Sequence, residues 1–136
     1  MLLGFATWTL VLLLSTVGIY RWSRILTGRV PIRDFRADEI HGDDWYRRAM
    51  RAHANCVENL PVFCAIVLAV HVTAVTGFAV DLLAIAILLG RVGQSLVHVC
   101  LTQTNTVTAV RFSFFLLQVV SFFGLIVITA RHAWGE

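Results

Sequence analysis

The sequence contains no lysine, and all eleven of its cationic side chains are arginines. Charge of either sign is scarce: charged residues make up 14% of the chain, against about 25% in soluble domains. Hydrophobic residues make up 58%, and a soluble fold of 136 residues could not bury so much apolar surface, because small domains leave much of their surface exposed. These figures exclude an ordinary soluble enzyme and a disordered chain. They indicate that lipid surrounds most of the protein.

Cysteine is also scarce, and histidine lacks the spacing of a metal site. The chain has an odd number of cysteines, and they show no Cys-x-x-Cys spacing: Cys56, Cys64 and Cys100. This pattern argues against a disulfide framework or a zinc site. The histidines form no His-Glu-x-x-His pattern and have arginine neighbours that would repel a cation, so we predict no metal. The net charge of +3 does not indicate nucleic acid, because the arginines are spread over a membrane-embedded sequence.

Uncharged runs mark four membrane-spanning segments. A helix needs about 20 residues to cross a hydrocarbon core of about 30 Å, and only helices satisfy the backbone there when a period-2 barrel pattern is absent. We therefore predict an all-α integral membrane protein, with one four-helix domain over residues 1–136. The predicted spans are 2–21, 46–76, 80–101 and 107–131, with a long loop at 22–45.

The arginines predict how the chain crosses the membrane. The first segment has neither a basic start nor an Ala-x-Ala cleavage site, so we interpret it as a retained span rather than a signal peptide. The second loop contains neither arginine nor lysine, whereas the first loop and the helix end before it carry Arg21, Arg24, Arg29, Arg33 and Arg36. The positive-inside rule then places the first and third loops in the cytoplasm and both termini outside. The membrane would be a bacterial inner membrane or of the endoplasmic-reticulum type.

Polar side chains inside the spans recur at helical spacing and so share helix faces. The faces are formed by Arg47, Arg51, Asn55 and Glu58 on the second helix, by Arg91, Gln94 and His98 on the third, and by Arg111 and Gln118 on the fourth. Pro61 is expected to kink or break the second helix beside this polar stretch. An ionisable side chain in a membrane helix is costly and indicates a functional site by default.

These intramembrane charges do not balance. Arg51, Arg91 and Arg111 stand against a single acid, Glu58. An internal salt-bridge network accounts for one pair, but it leaves two positive charges without partners at low dielectric constant. A bound anion with several carboxylates would neutralise them, since the arginine fork suits carboxylates. Anionic lipid head groups are an alternative source of the same charge.

The second helix also resembles a known motif. Residues 51–61, Arg-Ala-His-Ala-Asn-Cys-Val-Glu-Asn-Leu-Pro, are similar to the R-A-H-x-N-x-x-E-N-x-P motif of the MAPEG family, the membrane-associated proteins of eicosanoid and glutathione metabolism. The resemblance extends over the whole chain and is to microsomal glutathione transferase-like members of bacterial type. It implies a homotrimer of four-helix subunits, with glutathione as co-substrate held between neighbouring subunits near the cytoplasmic side.

The resemblance also implies roles for individual residues. Arg111 is similar to the arginine that supports the thiol of glutathione, and it is the catalytic candidate, although the segment before it is longer than in relatives with this arginine. His98 stands where family members often have a tyrosine, and Gln94 is placed in the same site because it shares that polar face. The other residues expected to bind glutathione are Arg51, His53, Asn55, Glu58, Arg91 and, at the end of the first helix, Arg29 or Arg24.

The function implied is that of a glutathione transferase or glutathione peroxidase in detoxification. Arginines would hold the carboxylates of glutathione, Glu58 its ammonium group, and a nearby guanidinium would stabilise the reactive thiolate. A lipophilic electrophile would enter from the membrane lipid. The alternative is a non-catalytic membrane module that binds anionic lipid or a partner protein. An eicosanoid-specific synthase is a weaker third hypothesis, since nothing in the sequence selects that substrate.

Overall fold

Four long helices make up most of the computed structural model, which describes residues 1–36 and 40–135. They are α1 (Leu2–Leu26), α2 (Asp44–Val72), α3 (Phe78–Cys100) and α4 (Asn105–Ala133). Each is long and apolar enough to cross a membrane, judged by length and composition. The loop between α1 and α2 contains a short 3-10 turn, and the described residues include no strand. The predicted all-α, multi-pass membrane architecture is confirmed.

Helix α1 continues to Leu26, whereas the sequence predicts an end near residue 21. The arginines that suggest a helix end are instead held by neighbouring side chains. The Nε of Arg21 donates to the Tyr46 hydroxyl at 2.8 Å, and Arg24 pairs with Asp43 at 2.7 Å. Because these charges have partners at the start of α2, the helix continues past the apolar run. The loop predicted at 22–45 therefore begins only after Leu26.

The middle of α1 departs from regular α-helix. Residues Leu13–Gly18 form a π-helical turn. The Ser15 hydroxyl donates to the carbonyl of Val11 at 2.6 Å, and the Thr16 hydroxyl donates to the carbonyl of Leu12 at 2.5 Å. Such bonds compete for carbonyls of the helical ladder, which favours a local change of helical geometry.

Helix α2 ends at Val72, four residues before the predicted limit of 76. Ala74 adopts a φ of 53°, in the left-handed region, which no longer continues a right-handed helix. Pro61 lies inside α2, and the helix continues through it rather than breaking there. The lost backbone donor therefore removes one bond of the ladder without ending the element.

The boundaries of α3 and α4 lie within two residues of the predicted 80–101 and 107–131. Thr104 caps the start of α4, since its hydroxyl accepts a hydrogen bond from the Val107 N–H at 3.2 Å. A threonine in this position satisfies one of the unpaired donors of the first turn.

Two glycines of α3 allow close contact with α4. A Cβ atom at Gly93 would lie 2.8 Å from the Phe114 ring, and one at Gly90 would lie 3.0 Å from Cγ of Gln118. Small residues let helix backbones approach in membranes, where packing replaces the hydrophobic effect. Gly90 and Gly93 thus serve helix packing within the subunit.

Apolar packing forms two clusters with a polar layer between them. One cluster contains Phe5, Phe63 and Phe122. The ring centroid of Phe63 lies 5.5 Å from that of Phe5 and 6.1 Å from that of Phe122. The other surrounds Tyr46 and Cys56. Along α3 the buried polar side chains between the two clusters are those of Arg91, Gln94, Ser95 and His98. The fold therefore buries polar side chains in the C-terminal half of α3, and the described residues form no continuous apolar core.

Candidate functional site

Charged side chains line a cavity of about 290 Å³ where the N-terminal ends of α2 and α4 meet the C-terminal end of α3. We call it the charged cavity. Its lining residues are Asp44, Arg47, Arg48, Arg51, His98, Gln103 and Arg111. The helical spacing of Arg47 and Arg51 brings both into it from one face of α2, while His98 and Arg111 reach it from the other two helices. Three of the predicted site residues, Arg51, His98 and Arg111, therefore meet here.

Positive charge exceeds negative charge in this cavity. Among the described residues that line it, four arginines face one carboxylate, that of Asp44. Asp44 is bonded to Arg48 and lies 3.8 Å from Arg47, so its charge is already shared. Within the described residues Arg51 and Arg111 have no acidic partner, and the Arg111 Nε is buried without a hydrogen bond. Such an arrangement favours an anion that accepts several hydrogen bonds.

A second cavity, of about 270 Å³, adjoins the first at Arg111, which lines both. We call it the aromatic cavity. Its lining residues are Asn55, Gln94, Thr108, Arg111, Phe112 and Phe115. The ring centroids of Phe112 and Phe115 lie 6.3 Å apart, and both side chains are exposed on the outer surface of α4. The cavity thus combines polar groups with an apolar wall at the surface that would face lipid.

Arg91 lies behind the aromatic cavity rather than in it. Its side chain is 1% exposed, and its Nη1 donates to Oε1 of Gln94 at 3.0 Å. Gln118, fully buried on α4, donates from Nε2 to the same oxygen at 3.1 Å. The Arg91 guanidinium also lies 5.9 Å from the Phe5 ring centroid. Arg91 therefore supports Gln94 and lines neither cavity.

The remaining predicted residues do not meet the cavities within one subunit. Glu58 is exposed on α2. His53 is half-buried, and its Nδ1 has no hydrogen-bond partner among the described residues. Arg29 is exposed in the loop, and Arg24 lines a separate cavity of about 630 Å³ beside that loop. None of these four residues lines the charged or the aromatic cavity.

Other lining residues were not singled out by the sequence. Asp44, Arg48 and Gln103 line the charged cavity and Thr108 the aromatic one. A signal for Arg48 exists in the spacing, since it lies four residues after Asp44 and three before Arg51. Because α2 was predicted to begin at residue 46, Asp44 was assigned to the loop, and its helical spacing to Arg48 was not recognised. Among residues 1–36 and 40–135, no group of three His, Cys, Asp or Glu side chains could hold a metal ion.

Comparison with known families agrees with the resemblance of residues 51–61. The sequence model of the MAPEG family matches residues 1–131 of the chain. The protein belongs to the MAPEG family. MAPEG proteins include glutathione transferases and related proteins. No match was found among curated proteins or among solved structures. MAPEG membership and the four long apolar helices together establish a multi-pass integral membrane protein.

Proposed function

We propose that this MAPEG protein is a membrane-bound glutathione transferase, with glutathione peroxidase activity on suitable substrates. The observation that carries the proposal is the adjacency of the two cavities at Arg111. The charged cavity suits the carboxylates of glutathione, and the aromatic cavity suits an apolar second substrate. Each cavity alone, at about 290 and 270 Å³, is slightly smaller than the range of about 300–1,000 Å³ for ligand pockets, and the two adjoin.

The chemistry follows from the charges. Arg47 and Arg51 hold carboxylates of glutathione, and Arg111 faces the thiol at the junction of the cavities. A guanidinium beside a thiol favours the thiolate, which is the reactive nucleophile. The thiolate then attacks an electrophile that reaches the aromatic cavity from the lipid beside Phe112 and Phe115. The nucleophile is supplied by glutathione, so the protein contributes binding, orientation and electrostatic stabilisation.

The exposure of Glu58 supports an assembly of several subunits, for which we propose the homotrimer of the family. Counting about 20 residues back from Val72 places the hydrocarbon boundary near residue 53. Glu58 then lies about 8 Å inside the hydrocarbon, at about 1.5 Å per residue, where an exposed carboxylate is costly. A neighbouring subunit that covers this face removes the cost. It would also bring Glu58, His53 and Arg29 of one subunit near the cavities of another, where Glu58 can take the glutathione ammonium.

The test is glutathione binding and conjugation by the purified protein in detergent. We expect calorimetry to detect glutathione binding, and conjugation of 1-chloro-2,4-dinitrobenzene to proceed. Arg51→Ala should raise the glutathione Kd by about 10- to 140-fold, since a hydrogen bond to a charged group contributes about 1.5–3 kcal/mol. Arg131→Ala is the matched control, because Arg131 lies at the opposite end of α4. Absence of glutathione binding to the unaltered protein would contradict the proposal.

A lipid-binding module is the second candidate, because the four arginines and one carboxylate among the described lining residues also suit a phosphate head group. The predicted topology places this cavity at the cytoplasmic boundary, where anionic lipids are found. Native mass spectrometry distinguishes the two functions. An anionic lipid that stays bound to the unaltered protein, but not to Arg51→Ala, in excess glutathione favours the lipid-binding module. Displacement of that lipid by glutathione favours the transferase.

A further inference from the structure

The orientation of the Gln94 amide is set by its partners. Its Oε1 accepts from Arg91 Nη1 at 3.0 Å and from Gln118 Nε2 at 3.1 Å. A guanidinium only donates, so the oxygen of Gln94 must face Arg91. The amide of Gln118 is fixed as well, because its Nε2 also donates to the carbonyl of Phe114 at 3.0 Å. Both acceptor positions of the Gln94 oxygen are therefore occupied by Arg91 and Gln118, neither of which lines the aromatic cavity.

The other end of this amide is the group available to a ligand. Gln94 lines the aromatic cavity, and its Nε2 has no hydrogen-bond partner among the described residues. Since the oxygen is held by Arg91 and Gln118, the N–H groups are left to face the cavity. A hydrogen bond from a buried guanidinium to the oxygen polarises the amide and strengthens its N–H groups as donors. Gln94 is thus a pre-oriented donor beside Arg111.

We propose, on the basis of the proposed transferase function, that the aromatic cavity binds the electrophile and that Gln94 donates to an oxygen conjugated with the electrophilic carbon. The substrate class is then planar conjugated electrophiles with an acceptor oxygen, such as α,β-unsaturated ketones and nitroaromatics. Phe112 and Phe115 supply an apolar wall for the planar group. Alkyl halides lack the oxygen and gain nothing from Gln94.

The donor acts where negative charge develops. In addition to an unsaturated ketone, the glutathione sulfur forms a bond to the β-carbon, and the π electron pair of the carbon–carbon double bond shifts to give an enolate. The charge on the enolate oxygen is stabilised by the Gln94 N–H, and the α-carbon then takes a proton from water. A pre-oriented donor of this kind contributes more to the transition state than to the ground state.

The experiment compares two substrates that share a phenyl ring. These are trans-4-phenyl-3-buten-2-one, which has a conjugated oxygen, and benzyl chloride, which has none. Gln94→Glu keeps an acceptor for Arg91 and Gln118 but replaces the donor by an oxygen. We expect the ratio of kcat/KM values, ketone over chloride, to fall by about 30-fold or more, since one such donor contributes about 100- to 1,000-fold. Gln103→Glu makes the same change in the charged cavity and should lower both values together, leaving the ratio within about twofold.

A second measurement uses the unaltered protein with glutathione present. The saturated ketone 4-phenyl-2-butanone has the acceptor oxygen but no electrophilic carbon, and it should inhibit conjugation of benzyl chloride more strongly than n-butylbenzene does. Equal inhibition by the two compounds, or an unchanged substrate ratio in Gln94→Glu, would overturn this inference while glutathione binding remained intact. If the unaltered protein does not bind glutathione, the proposed function itself is overturned.

Discussion

Replacement of Arg111 by alanine should slow glutathione conjugation strongly at pH 7 and hardly at all at pH 9. Arg111 is the residue shared by the two cavities, and its Nε has no hydrogen-bond partner in the described part of the chain. The proposed function places the glutathione sulfur beside this guanidinium. The rate advantage from Arg111 then comes from the larger fraction of thiolate.

The size of the effect is bounded by the ionisation of the thiol. A thiol with the ordinary cysteine pKa of about 8.5 is about 3% ionised at pH 7 and about 75% ionised at pH 9. Complete ionisation therefore raises the reactive fraction by about 30-fold at pH 7 but only about 1.3-fold at pH 9. A guanidinium about 4 Å from the sulfur, at an effective dielectric constant of about 20 to 80, stabilises the thiolate by about 1–4 kcal/mol. We expect a loss of about 5- to 30-fold at pH 7.

The assay is conjugation of 1-chloro-2,4-dinitrobenzene at saturating glutathione, measured between pH 6.5 and pH 9. Arg111→Lys keeps the positive charge and should retain most of the activity at pH 7. Arg131→Ala should follow the unaltered protein at every pH, because Arg131 lies in the last turn of α4, far from the cavities. An equal loss in Arg111→Ala at pH 7 and pH 9 would refute the argument from thiolate ionisation.

Two further predictions concern assembly and packing. Native mass spectrometry should detect trimers of the unaltered protein but monomers of Glu58→Lys. The control is Asp81→Lys, which changes an exposed residue at the start of α3 and should remain a trimer. If the unaltered protein is a monomer, no neighbouring subunit covers Glu58 and the prediction is wrong. Gly93→Ala should lower the free energy of unfolding by about 1–3 kcal/mol, since its Cβ would lie 2.8 Å from the Phe114 ring. Thermal unfolding in detergent measures this loss. Gly4→Ala, which meets only the flexible Leu88 side chain at 3.1 Å, should unfold near the original temperature.

The helices could be predicted from the sequence because lipid imposes a simple rule, an uncharged run long enough to cross the hydrocarbon. The rule fails at helix ends. Arg21 and Arg24 suggest the end of α1, yet contacts with Tyr46 and Asp43 keep this segment helical to Leu26. Those partners lie 25 and 19 residues further along the chain, so no local pattern reveals them.

Helical spacing placed the candidate site residues on faces but could not say which faces meet. Arg51, His98 and Arg111 lie on three different helices and do come together. Glu58 shares the face of Arg51, yet it lines neither cavity. Arg91 shares the face of Gln94 but lies behind it. Whether a residue lines a cavity depends on how deeply it is buried between packed helices. The periodicity of a single helix carries no information about that depth.

The π-helical turn at Leu13–Gly18 has a consequence for every residue that follows it in α1. One inserted residue changes the angular phase of a helix by about 100°. Without that rotation Arg21 would turn away from the Tyr46 hydroxyl, and the stacking of Tyr20 on Tyr46, with centroids 4.2 Å apart, would be lost. Deletion of a single residue from this turn would therefore break both contacts with Tyr46 without changing any side chain that makes them.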